Sequence, residues 1–135
     1  MKVRFLLCSS ILAAGLLSLP AAASERVWNQ VSSRIDYTCK AGEAIAIEGV
    51  GNIATFSGNC GSLRVEGAGN VIRGQGIDHL LVDGSNNQVE AARFIDIDIE
   101  GTNNRIAWMD AKAASPKTLR NDGTGNLIQR LKPGK

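Results

Sequence analysis

Apolar and polar positions in this chain recur at a fixed short period. One block is repeated at 47–52, 65–70, 82–87, 99–104 and 121–126. Its pattern is apolar, acidic, Gly, any residue, Gly or Asn, then Asn. The block glycines stand at 49, 67, 84, 101 and 123, so the steps are 18, 17, 17 and 22 residues. The flanking positions keep the same register. Four residues before each glycine stand Ile45, Leu63, Leu80, Ile97 and Leu119. Two before it stand Ile47, Val65, Val82 and Ile99, with Asn121 as the exception. Five after it stand Ala54, Ile72, Val89, Ile106 and Ile128. Apolar residues two apart predict strands with one buried face. The Gly-x-[Gly/Asn]-Asn between them is turn chemistry, because Gly and Asn tolerate positive φ.

A unit of this length cannot bury its own apolar face. Stacking like units solves the problem, since each inward column then covers the next. The pattern therefore predicts an all-β fold, a small parallel β-solenoid of about five coils of 17–18 residues over 39–130. The competing arrangement is an antiparallel sandwich of hairpins. Hairpins would reverse the column order in alternate units, and the register shows no such reversal. Asn52, Asn70, Asn87, Asn104 and Asn126 should form a file of turn amides that bond to one another and to turn backbone. Replacing Val82 or Ile97 by Asp should unfold such a stack.

The open ends of a solenoid need covers. Val27, Trp28, Val31 and Ile35 recur at helical spacing, which predicts a capping helix over 24–38 with Trp28 on the apolar cross-section. At the other end the longer step places a proline-containing loop at 109–117, a candidate contact surface. Residues 131–135 read as a flexible tail. Asn121 interrupts an inward column, which leaves the last coil open to end-to-end self-association.

Residues 1–23 read as a secretory signal. Lys2 and Arg4 precede an apolar run from Phe5 to Leu19, and 21–23 supply a small-residue cleavage pattern. The run is shorter than the ~20 residues of a spanning helix, so no membrane span is expected after cleavage. Cleavage also changes the charge balance. The 15 Lys and Arg lose two members and the 13 Asp and Glu lose none, leaving thirteen of each. A neutral chain without a basic run lacks the footprint of a nucleic-acid binder. The exported chain keeps two cysteines, Cys39 and Cys60. In an oxidising compartment, periplasmic or extracellular, one disulfide is the default.

The acid file, Glu48, Glu66, Asp83, Glu100 and Asp122, is the chemically provocative feature. It lies beside an inward column, so it should point outward, with carboxylates one strand spacing apart. Three arrangements are open. The acids can be solvated and splayed, they can be offset by Arg64 and Arg120, or they can hold a calcium ion. His79 is the one histidine, placed at a turn with no partner identified from the sequence. Asp96 and Asp98, with Arg93 nearby, fall on the outer side of a strand and read as a solvated face. No Ser–His–Asp or Cys–His constellation is identified, so no catalytic residue, metal or cofactor is assigned.

The repeat resembles an exported bacterial family, the domain of unknown function 3060. The residues that carry the likeness are the early Cys39, Gly-Asn-Cys-Gly at 58–61 and Gly-x-Asn-Asn-x-[Val/Ile] at 84–89 and 101–106. Ile106-Ala107-Trp108, Pro116 and Gly123-Thr124-Gly125-Asn126 also match. The resemblance covers about 39–128. It implies export and a repetitive β fold, and it supplies no activity. The expectation is an exported, non-catalytic binding or structural module of the cell envelope with a protein or glycan partner. The alternatives are a small carbohydrate-active enzyme acting on an acidic or cell-wall glycan, and a calcium-stabilised scaffold.

Overall fold

The computed structural model describes residues 24–109 and 116–132. The leader expected at 1–23 lies outside them, as do 110–115 of the 109–117 loop and 133–135 of the tail.

The described chain is all β. Nine strands form one sheet: β1 (Arg26–Val31), β2 (Arg34–Thr38), β3 (Ala44–Val50), β4 (Ile53–Ala68), β5 (Val71–Ser85), β6 (Gln88–Ile99), β7 (Arg105–Trp108), β8 (Thr118–Asn121) and β9 (Leu127–Arg130). Every pairing is parallel. The chain winds through about six turns, each resting on the one before. The register equals the sequence period: Ile47 pairs with Val65, Val65 with Val82, and Val82 with Ile99. Like residues therefore stack on like.

The inward columns form one continuous core. Ile45, Leu63, Leu80 and Ile97 make one column, and Ile47, Val65, Val82 and Ile99 a second; all are buried. Ala54, Ile72, Val89 and Ile106 line the opposite wall. Large and small residues alternate at the third corner. Ile77 packs over Gly74, where even a β-carbon would crowd the Ile77 side chain, and Phe94 stands in the coil of Ala91. That alternation lets large side chains share a narrow interior. Cys39 and Cys60 form a disulfide across the first two turns, with their α-carbons 5.1 Å apart.

The capping helix expected at 24–38 is absent, and strands β1 and β2 stand in its place. Val27, Trp28, Val31 and Ile35 satisfy helical spacing, but the edge of β3 and β4 decides the outcome. A helix would leave that edge's N–H and C=O groups unpaired, whereas a sixth turn pairs them. Trp28 does cover the cross-section. It packs on the core, with its ring 5.9 Å from Phe56 and 5.1 Å from Tyr37. The repeat thus begins at Arg26, one turn earlier than its sequence signature.

That first turn lacks the signature because no described residue forms a turn beneath it. A β-carbon on Gly49, Gly67, Gly84, Gly101 or Gly123 would strike the carbonyl oxygen of the equivalent residue one turn earlier. In the first turn Gln30 occupies this position, and among the described residues no earlier turn crowds it.

Candidate functional site

The asparagine file sets the corner geometry on which the outer faces depend. Asn52, Asn70, Asn87 and Asn104 are at most 1% exposed. Each side chain reaches back to the preceding turn. Asn70 Oδ1 accepts from the Asn52 amide at 3.0 Å, while its Nδ2 donates to the Gly49 carbonyl at 3.1 Å. Asn87 and Asn104 repeat both bonds one and two turns later. Asn126 does the same to Asn104 N and Gly101 O. Asn52 closes the first corner through Ser33 N and Gln30 O. These amides are occupied by structural bonds at every turn.

The opposite side of the glycine blocks carries the chemistry. Three outward files run along the solenoid axis on β3, β4, β5, β6 and β8. The first is Ala44, Ser62, His79, Asp96 and Thr118. The second is Ala46, Arg64, Leu81, Asp98 and Arg120. The third is the acid file at 48, 66, 83, 100 and 122. The first two files floor a depression of about 510 Å³ whose lining includes Arg64, His79, Leu81, Asp96, Asp98 and Arg120, with Glu25 beside Arg64; the acid file runs alongside it.

Charge pairing within this depression is dense at its two ends. Arg64 Nη2 donates to Glu25 Oε2 at 2.7 Å and to Glu48 Oε1 at 3.2 Å, and Nη1 bonds Glu66. The hydrogen bond from Arg64 holds the Glu25 carboxyl below its ordinary range, and the same bonds raise the guanidinium. Arg120 pairs with Asp122 at 2.5 Å and reaches Asp98 at 3.8 Å. Of the three arrangements open for the acid file, Glu48, Glu66 and Asp122 therefore take the arginine-paired one. Asp83 and Glu100 are exposed. Among the described residues no group of three His, Cys, Asp or Glu side chains is placed to hold a metal ion.

His79 lies within β5, and it has a partner: Nδ1 stands 2.7 Å from Asp96 Oδ2, with the His79 side chain 63% exposed. The sequence contains the signal for this pair. Asp96 follows His79 by one repeat step of 17 residues, so parallel stacking sets them side by side. Ser62 precedes His79 by the same step and shares the file, yet no hydrogen bond joins its hydroxyl to the imidazole. Asp98 Oδ1 is buried and has no hydrogen-bond partner among the described residues. Arg93 lies elsewhere. It donates to Asn59 Oδ1 at 2.6 Å and pairs with Asp78 at 3.3 Å, at the edge of a separate recess.

Parallel winding, the glycine file and the corner asparagines define a β-solenoid with a structural amide ladder. Residues 47–93 match the family model described as a protein of unknown function (DUF3060), which bears out the likeness read from the sequence over that segment. No curated protein and no solved structure matches the chain. No helix among the described residues is long and apolar enough to cross a membrane.

Proposed function

We propose that this is an exported, non-catalytic binding module of the cell envelope, and that it recognises its partner through the depression over β3–β6 and β8. The observation that carries the reading is the depression itself. Its 510 Å³ falls within the ~300–1,000 Å³ range of ligand-sized sites. It joins an apolar centre, Leu81, to convergent hydrogen-bonding groups, which is the composition of a recognition surface. A disulfide and a leader-like amino terminus support export. The non-catalytic reading is supported by the file beside the His79–Asp96 pair, where the Ser62 hydroxyl makes no hydrogen bond to the imidazole and no nucleophile–base pair is assembled among the described residues.

The test is co-sedimentation of the purified exported chain with peptidoglycan sacculi and with lipopolysaccharide. Leu81→Arg should abolish retention on whichever material binds, while the melting transition stays where it was. Retention unaffected by Leu81→Arg overturns the assignment of the face. Turnover of either material that is lost in His79→Ala overturns the non-catalytic reading.

A further inference from the structure

The depression has a direction, and that direction constrains its ligand. It runs along the solenoid axis across four turns. Each turn contributes one polar hydrogen-bonding side chain to the first file: Ser62, His79, Asp96 and Thr118. Successive members are one strand spacing apart, ~4.8 Å. A row of donors and acceptors at constant spacing suits an extended polymer that repeats its own polar groups. Hydroxyls are the groups that serine, threonine, imidazole and carboxylate all bond. The row lies on a sheet face, so it offers no free strand edge for a peptide to extend. Hydroxyl-bearing sugar rings in a linear chain fit such a row better than a polypeptide does.

Charge narrows the class further. Three carboxylates line the depression, Glu25, Asp96 and Asp98, and the five of the acid file run alongside it, against Arg64 and Arg120. Both guanidiniums are already bridged to carboxylates, so neither is available to a uronate. An anionic glycan would face an excess of carboxylates, whereas an amine on the sugar would find them, among them Asp98, whose side chain lines the depression and is 37% exposed.

We propose that the groove binds a linear glycan carrying free amines, laid along the axis with the His79–Asp96 pair and Asp98 in contact with it. This rests on the face being the recognition surface, and it names the ligand class for that face. Recognition of a polyuronate is the opposite prediction.

Three oligosaccharide probes of equal length test this by calorimetry on the exported chain: a glucosamine oligomer, its N-acetylated counterpart and an oligogalacturonate. The glucosamine oligomer should bind tightest, its affinity should fall as salt rises, and the uronate should bind weakest. Asp98→Asn and Asp96→Asn should each weaken the glucosamine oligomer about tenfold, equivalent to ~1.4 kcal/mol. Arg73→Ala, on another face, should leave it unchanged. Equal or tighter uronate binding overturns the proposal. So does an absence of glucosamine binding while sacculi still retain the chain in a Leu81-dependent way, and in that case the recognition face itself stands. If Leu81→Arg alters retention on no material, the face and the ligand class fall together.

Discussion

The two ends of the stack terminate the same repeat by different means. At the amino-terminal end the columns change residue type. Arg26 takes the place that Ile45 holds one turn later, and Trp28 takes the place of Ile47. The Arg26 guanidinium lies 4.9 Å from the Tyr37 ring centre and 5.9 Å from that of Trp28. Glu43 fastens the group, accepting from Tyr37 Oη at 2.8 Å, Lys40 N at 2.9 Å and Arg26 Nε at 3.2 Å. A cation over aromatic rings presents its charge to water and its rings to the core. At the carboxyl-terminal end no such cluster is found among the described residues. Leu119, over Ile97, is 48% exposed, and Asn121 stands in an inward column over Ile99. Asn121 Oδ1 accepts from Asn126 Nδ2 at 2.9 Å and from Gly123 N. One end is closed by a built cluster, the other by a polar residue that satisfies its own turn. The interior tolerates neither device, because both depend on having water on one side.

The comparison can be broken most forcefully in the middle. Val82→Asp places a charge among fully buried aliphatics, and a buried unpaired charge costs more than a small domain's ~5–15 kcal/mol margin can bear. Circular dichroism should show no cooperative transition; a preserved melt would refute the column assignment. Gly84→Ala comes next, since its β-carbon would meet the Gly67 carbonyl oxygen. It should cost several kcal/mol by denaturant titration, whereas Gln30→Ala at the equivalent first-turn position should cost under ~0.5 kcal/mol. Asn87→Ala leaves the buried Asn70 amide without its acceptor, a loss of roughly 1–3 kcal/mol. Asn126→Ala, at the open end, should cost less than half of that. Reducing Cys39–Cys60, which spans 21 residues, should remove ~3 kcal/mol.

Acid gives the smallest and most local effect. The Lys40 amide, then the Tyr37 hydroxyl and Arg26, hold the Glu43 carboxyl below its ordinary 4.5. A lowered carboxylate contributes stability that is present above pH 4.5 and lost as the pH falls through the depressed value. Glu25, lowered by Arg64, has the same sign. Acidification below about pH 4 should therefore loosen β1 and β2 before the middle turns, seen as broadening of the Trp28 indole resonance. Glu43→Gln should abolish most of that pH dependence. Simultaneous loss of all turns would show that the two ends are not independent.

These contrasts explain which parts of the fold could be read from the chain. Middle turns announce themselves, because every turn with one beneath it needs a glycine to clear the carbonyl below and an asparagine to close the corner below. The first turn needs neither. Gln30 and Ser33 occupy those positions, the signature vanishes, and Val27, Trp28, Val31 and Ile35 read instead as a helix. Only the edge of β3 and β4, which is not visible in a local window, decides for strands. The acid file pointed outward as expected, and the choice among its three arrangements depended on the reach of Arg64. The His79–Asp96 pair was legible in principle. Its members are 17 residues apart, which the repeat converts into neighbours, but a search for contiguous motifs passes over them.

The corner amides give the stack a polarity. Each asparagine closes the corner of the turn that was made before it. A chain threaded amino end first would thus complete every corner as the next turn arrives. At any stage of growth a single corner stays unsealed, however many turns have been laid down. Trimming whole turns from the carboxyl side would leave that number unchanged, whereas trimming from the amino side would strip the aromatic cover and leave an amide reaching for a turn that is gone.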